Sequence, residues 1–176
     1  MSEGLWHLRL VNAIDELANR SVASLLAGYA AALAELKRRG VVRTDNAPAG
    51  DCAERLVAKS LGGTIAESTS EKSWDIDAPI YGLLQVKCRL VSAPLKAGQL
   101  QTSPFRSWGF NRAAFVMLSG QDYSVVRASL VPLDAVRAVG QPRDHVGGWI
   151  VQMRPPLLEA DGAEDIRERL RAAAIE

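Results

Sequence analysis

The sequence predicts an α/β protein: an α/β sandwich with helices flanking a central mixed β-sheet. Three observations predict it. Residues 5–39 carry apolar side chains at three- and four-residue spacings, the period of a helix buried on one side. Ala113-Ala114-Phe115-Val116-Met117-Leu118 is a near-continuous apolar run, the signature of a strand covered on both faces. Around that run the elements follow as helix, strand, hairpin, buried strand, strand, helix, the order of a sheet with helices packed on it. With 48% hydrophobic and 23% charged residues among 176, the chain has an ordinary globular composition and is long enough for a proper core.

In order along the chain, Leu5 to Asn19 and Val22 to Arg39 read as helices. In the second, Val22, Leu25, Leu26, Tyr29, Ala30, Leu33 and Leu36 form the repeating face. Lys37-Arg38-Arg39 suits the negative end of the helix dipole, and Gly40 is the stop. These cations, with Arg43, read first as helix-end residues on a solvated face and second as a phosphate-contacting cluster. Residues 1–43 are therefore an N-terminal helical segment that covers the core or pairs with a second subunit. Residues 44–176 form one compact domain.

Pro48 suits a helix start, and Ala49 to Leu61 reads as a helix ended by Gly62-Gly63. Ala53, Leu56, Val57 and Ser60 share its stripe, with Glu54 beside it. Thr64-Ile65-Ala66 reads as the first core strand and Glu67 to Lys72 as a polar loop. Trp74 to Asp77 is a short strand, Pro79 to Gly82 a turn, and Leu83 to Leu90 the returning strand. After the apolar run, Gly120-Gln121-Asp122 turns the chain into a strand over Tyr123 to Val131. A helix then spans Pro132 to Val139, and a loop holding His145 spans Gly140 to Gly148. Trp149 to Met153 reads as a peripheral strand, and Ala163 to Ala174 as an amphipathic helix with Ile166 and Leu170 on its apolar side.

The hairpin concentrates the chemistry. Side chains alternate faces along a strand, so Gln85 and Lys87 share one face, while Asp75 and Asp77 point the same way on the strand before. An acid, an amide oxygen and an ammonium group thereby meet. Hard oxygen ligands of this kind suit Mg²⁺, which binds through one or two carboxylates and keeps several waters. Such an ion lowers the pKa of a bound water and polarises a phosphoryl oxygen. A lysine beside it orients the attacking hydroxide or offsets charge building on the phosphorane. The same residues also suit the polar face of an exposed hairpin, with Lys87 an ordinary surface charge.

Asp75, then Gln85-Val86-Lys87 on the next strand, with Glu54 on a preceding helix, resembles the PD-(D/E)XK nuclease superfamily. The likeness is to the form with glutamine in place of the first acid of the (D/E)XK half, as in Mrr-like restriction enzymes. It covers about residues 48 to 131, and Trp74 stands where many members have proline. The resemblance implies a restriction-endonuclease-like core and a Mg²⁺- or Mn²⁺-dependent endonuclease acting on DNA, with RNA not excluded. It implies Glu54, Asp75, Gln85 and Lys87 as catalytic residues, with Asp75, Gln85 and Glu54 on the metal. A homodimer follows from the paired sites used in duplex cleavage. The other reading is a non-catalytic nucleic-acid-binding or protein-interaction module on the same fold.

Ser92 to Ser107 shows no regular period and holds Pro94, Lys96, Gly98, Pro104 and Arg106. As a loop or short helix over the substrate it offers Lys96 and Arg106 to phosphates, with Arg89 a comparable candidate on the strand. Trp108 and Phe110 read as packed aromatics before base-stacking ones. A net charge of +1 argues against a tail-driven nucleic-acid binder but leaves room for a local basic patch. Cys52 and Cys88 are too few for a zinc cluster or disulfide framework, and His7 and His145 stand far apart. No glycine-rich phosphate loop, Ser-His-Asp pattern or CxxC occurs. Without a signal peptide or membrane span, the expected compartment is the cytoplasm.

Overall fold

The structure, a computed structural model, describes residues 16–44, 47–67 and 73–173. The helix expected before residue 16 and most of the polar loop expected over Glu67–Lys72 lie outside these residues. The chain divides into two compact units, Met1–Asp45 and Asn46–Glu176.

In the first unit, α1 spans Val22–Arg38, and Ser21 caps it by accepting the Ser24 N–H at 3.2 Å. Two of the basic residues at its end are paired within the helix. Arg38 and Arg39 donate to Glu35 at 2.7 and 2.8 Å. Their guanidinium groups hold the Glu35 carboxyl down to about 2.

The second unit is α/β, built on a mixed six-stranded sheet. Its elements are α2 (Ala49–Leu61), β1 (Thr64–Ile65), β2 (Ile76–Ala78), β3 (Gly82–Val91), β4 (Arg112–Ser119) and β5 (Val125–Pro132). They continue with α3 (Leu133–Val139), β6 (Gln141–Arg143), β7 (Gly148–Ile150), α4 (Pro155–Leu158), β8 (Glu164–Asp165) and α5 (Arg167–Ala172). The strand order is β1-β2-β3-β4-β5-β8. Only β3 and β4 run parallel, from Leu84 against Arg112 to Val91 against Ser119; the other neighbours are antiparallel.

Local sequence explains the edges of these elements. Gly62 takes the left-handed conformation with φ of 66° that ends α2, and Gly63 N–H bonds back to Ala58 C=O at 2.8 Å. On β4, Ala113 through Leu118 are all buried, as the apolar run requires. One face of the sheet carries Leu84, Val86, Val116, Leu118 and Leu130 against α2 and against Ile166 and Leu170. The other carries Phe115, Met117 and Val131 against Phe105, Phe110, Val136, Leu157 and Leu158. Both faces are covered.

Three expected elements differ. The helix expected from Ala163 begins at Arg167, because Glu164 and Asp165 pair with Leu130 and Ser129 as the outer strand β8. The loop expected over Gly140–Gly148 is half of a hairpin: β6 pairs with β7 as a separate two-stranded sheet. Trp149 to Met153 accordingly splits between β7 and isolated bridges, Trp149 to Phe105 and Gln152 to Gln101. Among the described residues, no helix is long and apolar enough to cross a membrane.

Candidate active site

The site begins where β2 ends. Its pairing with β3 runs only from Ala78 opposite Gly82 to Ile76 opposite Leu84. Asp75 therefore stands just before the strand, although Trp74–Asp77 reads as a strand from sequence. Its backbone N–H still reaches the Leu84 carbonyl at 2.8 Å. Its side chain takes the place of the missing strand, and Oδ2 accepts the backbone N–H of Val86 at 2.6 Å. The same oxygen accepts Nε2 of Gln85. Asp75 is buried, whereas Asp77, expected on the same face, is exposed.

The strand's alternation decides which backbone groups face this gap. Leu83 faces β4, its carbonyl accepting the Asn111 N–H at 2.7 Å, and Val91 does likewise toward Gly120 at 2.8 Å. The intervening even-numbered residues turn their N–H and C=O toward the β2 side. The Val86 carbonyl thus points the same way as the N–H bound to Asp75. Sequence patterning gives no sign of this backbone donor, because any residue supplies it.

Lys87 is buried, at 9% exposure, on the face opposite Val86. Its Nζ donates to the Pro104 carbonyl at 3.1 Å and lies 4.7 Å from the centroid of the Phe105 ring. Burial pulls its pKa below the ordinary lysine value; Asp75 pushes it back up, Arg89 pulls it down, Glu54 raises it and Arg106 lowers it. Lys87 therefore sits within the fields of two carboxylates. Glu54, half-buried on α2, belongs to the helix that covers the other face, yet its charge is felt at Lys87. Asp75 and Gln85 are joined by a hydrogen bond, and the charges of Asp75 and Glu54 both act on Lys87.

The three basic residues expected at phosphates divide. Arg89 donates Nε to the Gln101 carbonyl, and Arg106 bonds the Val146 and Gly147 carbonyls. Lys96 is exposed at the start of the 3₁₀ turn Ala97–Leu100. Trp108 packs 5.5 Å from Phe105 and 5.0 Å from Trp149, in an aromatic cluster rather than on an open face. Phe105, inside the stretch without regular period, is the residue that sequence patterning passes over: it floors the Lys87 ammonium from a fully buried position.

The donors at Asp75 are hard oxygens: its own carboxylate, the Gln85 amide oxygen and the Val86 carbonyl; Glu54, whose charge acts on Lys87, is the other carboxylate of the region. This set fits Mg²⁺ or Mn²⁺. Among the described residues no three His, Cys, Asp or Glu side chains form a cage on their own. A cation here leans on the amide, the carbonyl and water as well. Cys88 offers no competing thiolate, since burial pushes its thiol up to about 12. No protein-family model and no curated protein matches the chain.

Proposed function

We propose that the chain is a Mg²⁺-dependent endonuclease with a restriction-endonuclease-like core, hydrolysing phosphodiester bonds in DNA. The observation that carries this reading is the buried Lys87 ammonium lying within the fields of Asp75 and Glu54, beside a strand edge lined by oxygen donors. Asp75, Glu54, Gln85 Oε1 and the Val86 carbonyl are the groups that would hold the ion. When bound, the ion supplies Lewis-acid polarisation of the phosphoryl oxygen and a water of lowered pKa. Lys87 orients that water and offsets the negative charge gathering on the phosphoryl oxygens. Glutamine adds no charge, so Glu54 carries more of the electrostatic attraction than it would beside two acids. Cutting both strands of a duplex calls for two such sites, hence a homodimer. Arg106 and Lys96 are proposed contacts to the strand beyond the site.

Nicking of supercoiled plasmid in Mg²⁺ or Mn²⁺, with RNA and single-stranded DNA alongside, tests this reading. Wild type cleaves, EDTA abolishes cleavage, and Lys87→Ala abolishes it in every substrate. Metal-dependent cutting that survives Lys87→Ala overturns it.

A second reading has its own observation. Lys87, Arg89 and Arg106 each donate to a backbone carbonyl of a neighbouring loop, as structural cations do. On this reading the unit binds nucleic acid or a protein partner without cleaving. Gel shifts in Ca²⁺ together with no cleavage in Mg²⁺ or Mn²⁺ would favour it.

A further inference from the structure

Among the described residues, no strand neighbours the β2 side of β3 beyond Val86. By the same alternation, the N–H and C=O groups of Cys88 and Leu90 face that open edge, and among the described residues they have no partner. The edge forms one wall of a cleft of about 600 Å³. The opposite wall is the first turn of α2, Ala49 and Gly50. Pro48 at the N-cap contributes no side-chain hydrogen bond there, and Cys52 N–H bonds the Pro48 carbonyl at 2.9 Å, one turn after the Ala49 and Gly50 amides that face the cleft. Gly98 and Gln101 close the far side.

Arg89 lines the cleft and is pre-set for an anion. Its Nε is anchored on the Gln101 carbonyl, which fixes the plane of the guanidinium. Its two terminal nitrogens make no hydrogen bond to the described residues. A fork held at its base with both tips unbonded is the arrangement that receives two phosphate oxygens. Strand-edge N–H groups and first-turn amides supply further donors on the two facing walls. Glycine at 50 leaves the backbone open: a Cβ built there meets nothing within 4 Å.

We infer that this cleft seats the phosphodiester next to the scissile one in a bound nucleic-acid strand. The assignment rests on the nuclease reading, since β3 carries Arg89 only two residues beyond Lys87 and α2 carries Glu54 one turn beyond Gly50. A strand laid along the open edge passes from the Arg89 cleft to the Asp75 site.

Titration of a 5′-phosphorylated thymidine dinucleotide in Ca²⁺, followed in ¹H–¹⁵N spectra, tests it. The amide signals of Gly50, Cys88 and Leu90 are expected to shift. Arg89→Gln is expected to weaken binding about tenfold, with a shallower salt dependence. Gly50→Glu places a carboxylate in the cleft and is expected to weaken it similarly, at a helix position where an acid favours the fold. Wild-type affinity in both variants, or shifts confined to other residues, overturns the inference. So does a mononucleotide that binds as tightly as the dinucleotide, which would make the cleft a small-molecule pocket. Dinucleotide binding in the cleft by a wild type that cleaves nothing supports the phosphate seat while rejecting the nuclease reading.

Discussion

Asp75 Oδ2 and the backbone N–H of Val86 are joined at 2.6 Å, so one carboxylate both completes the ladder of β3 and stands at the candidate metal position. Structure and chemistry are separable by substitution. Asp75→Ala leaves the Val86 N–H without its acceptor and is expected to cost about 1–3 kcal/mol in urea unfolding. Asp75→Asn keeps an acceptor and loses only the charge, so it is expected to cost less. In the nuclease reading, cleavage is expected to fall about a hundredfold or more in both. Equal stability losses would show that the hydrogen bond contributes nothing to the fold.

Lys87 gives the stability a pH signature. Its folded pKa lies below the ordinary value of 10.5, so the unfolded chain holds more protons between the two. Unfolding free energy from this group therefore rises with pH across that window. The burial penalty is largest below the folded value and is relieved as pH approaches 10.5. Wild type is expected to gain stability relative to Lys87→Met between pH 7 and pH 10, measured by urea denaturation at each pH. A pH-independent difference would mean that the ammonium is not held in the folded protein as described.

In the nuclease reading, Glu54→Gln separates charge from packing. The side chain is half-buried on α2, so stability is expected to stay within about 0.5 kcal/mol. Mg²⁺ affinity, measured by calorimetry, is expected to fall about tenfold, and cleavage with it. Unchanged affinity would remove Glu54 from the donor set.

Gly63 sets the closeness of β1 to β2. A Cβ there would lie 2.5 Å from Ile76 Cγ2 and 3.0 Å from the Asp77 carbonyl. Gly63→Ala is expected to cost about 1–3 kcal/mol. Combined with Ile76→Ala, which removes Cγ2, the loss should be smaller than the sum of the two single losses. A neutral Gly63→Ala would show that this corner gives way freely.

Strongly bracketed elements were legible in the sequence. Pro48 and Gly62-Gly63 mark α2 from Ala49 to Leu61, and uninterrupted burial marks β4. Elements made by tertiary pairing were not. Glu164 and Asp165 have a helix-like charged setting, yet β5 offers them an open edge and they become β8. The β6–β7 hairpin depends on Gly147 adopting φ of 60°, which a loop reading accommodates equally well. At the site, the alternation of Gln85 and Lys87 was readable from the strand period. The turn of Asp75 into the edge of β3 was not, because it follows from β2 being three residues long.

The parallel step from β3 to β4 obliges the chain to travel back along the sheet before it can pair, and residues 92–111 make that journey with a single short 3₁₀ turn. This return passage touches the odd face of β3 through the Gln101 and Pro104 carbonyls, which hold Arg89 and Lys87. At its end Asn111 bonds the sheet, its Oδ1 accepting the Leu83 N–H at 2.8 Å, whereas Gly98 and Gln101 line the cleft beside β3. Exchange of residues such as Gly98 or Gln101 therefore offers evolution a way to retarget the molecule while the scaffold beneath keeps its pairing.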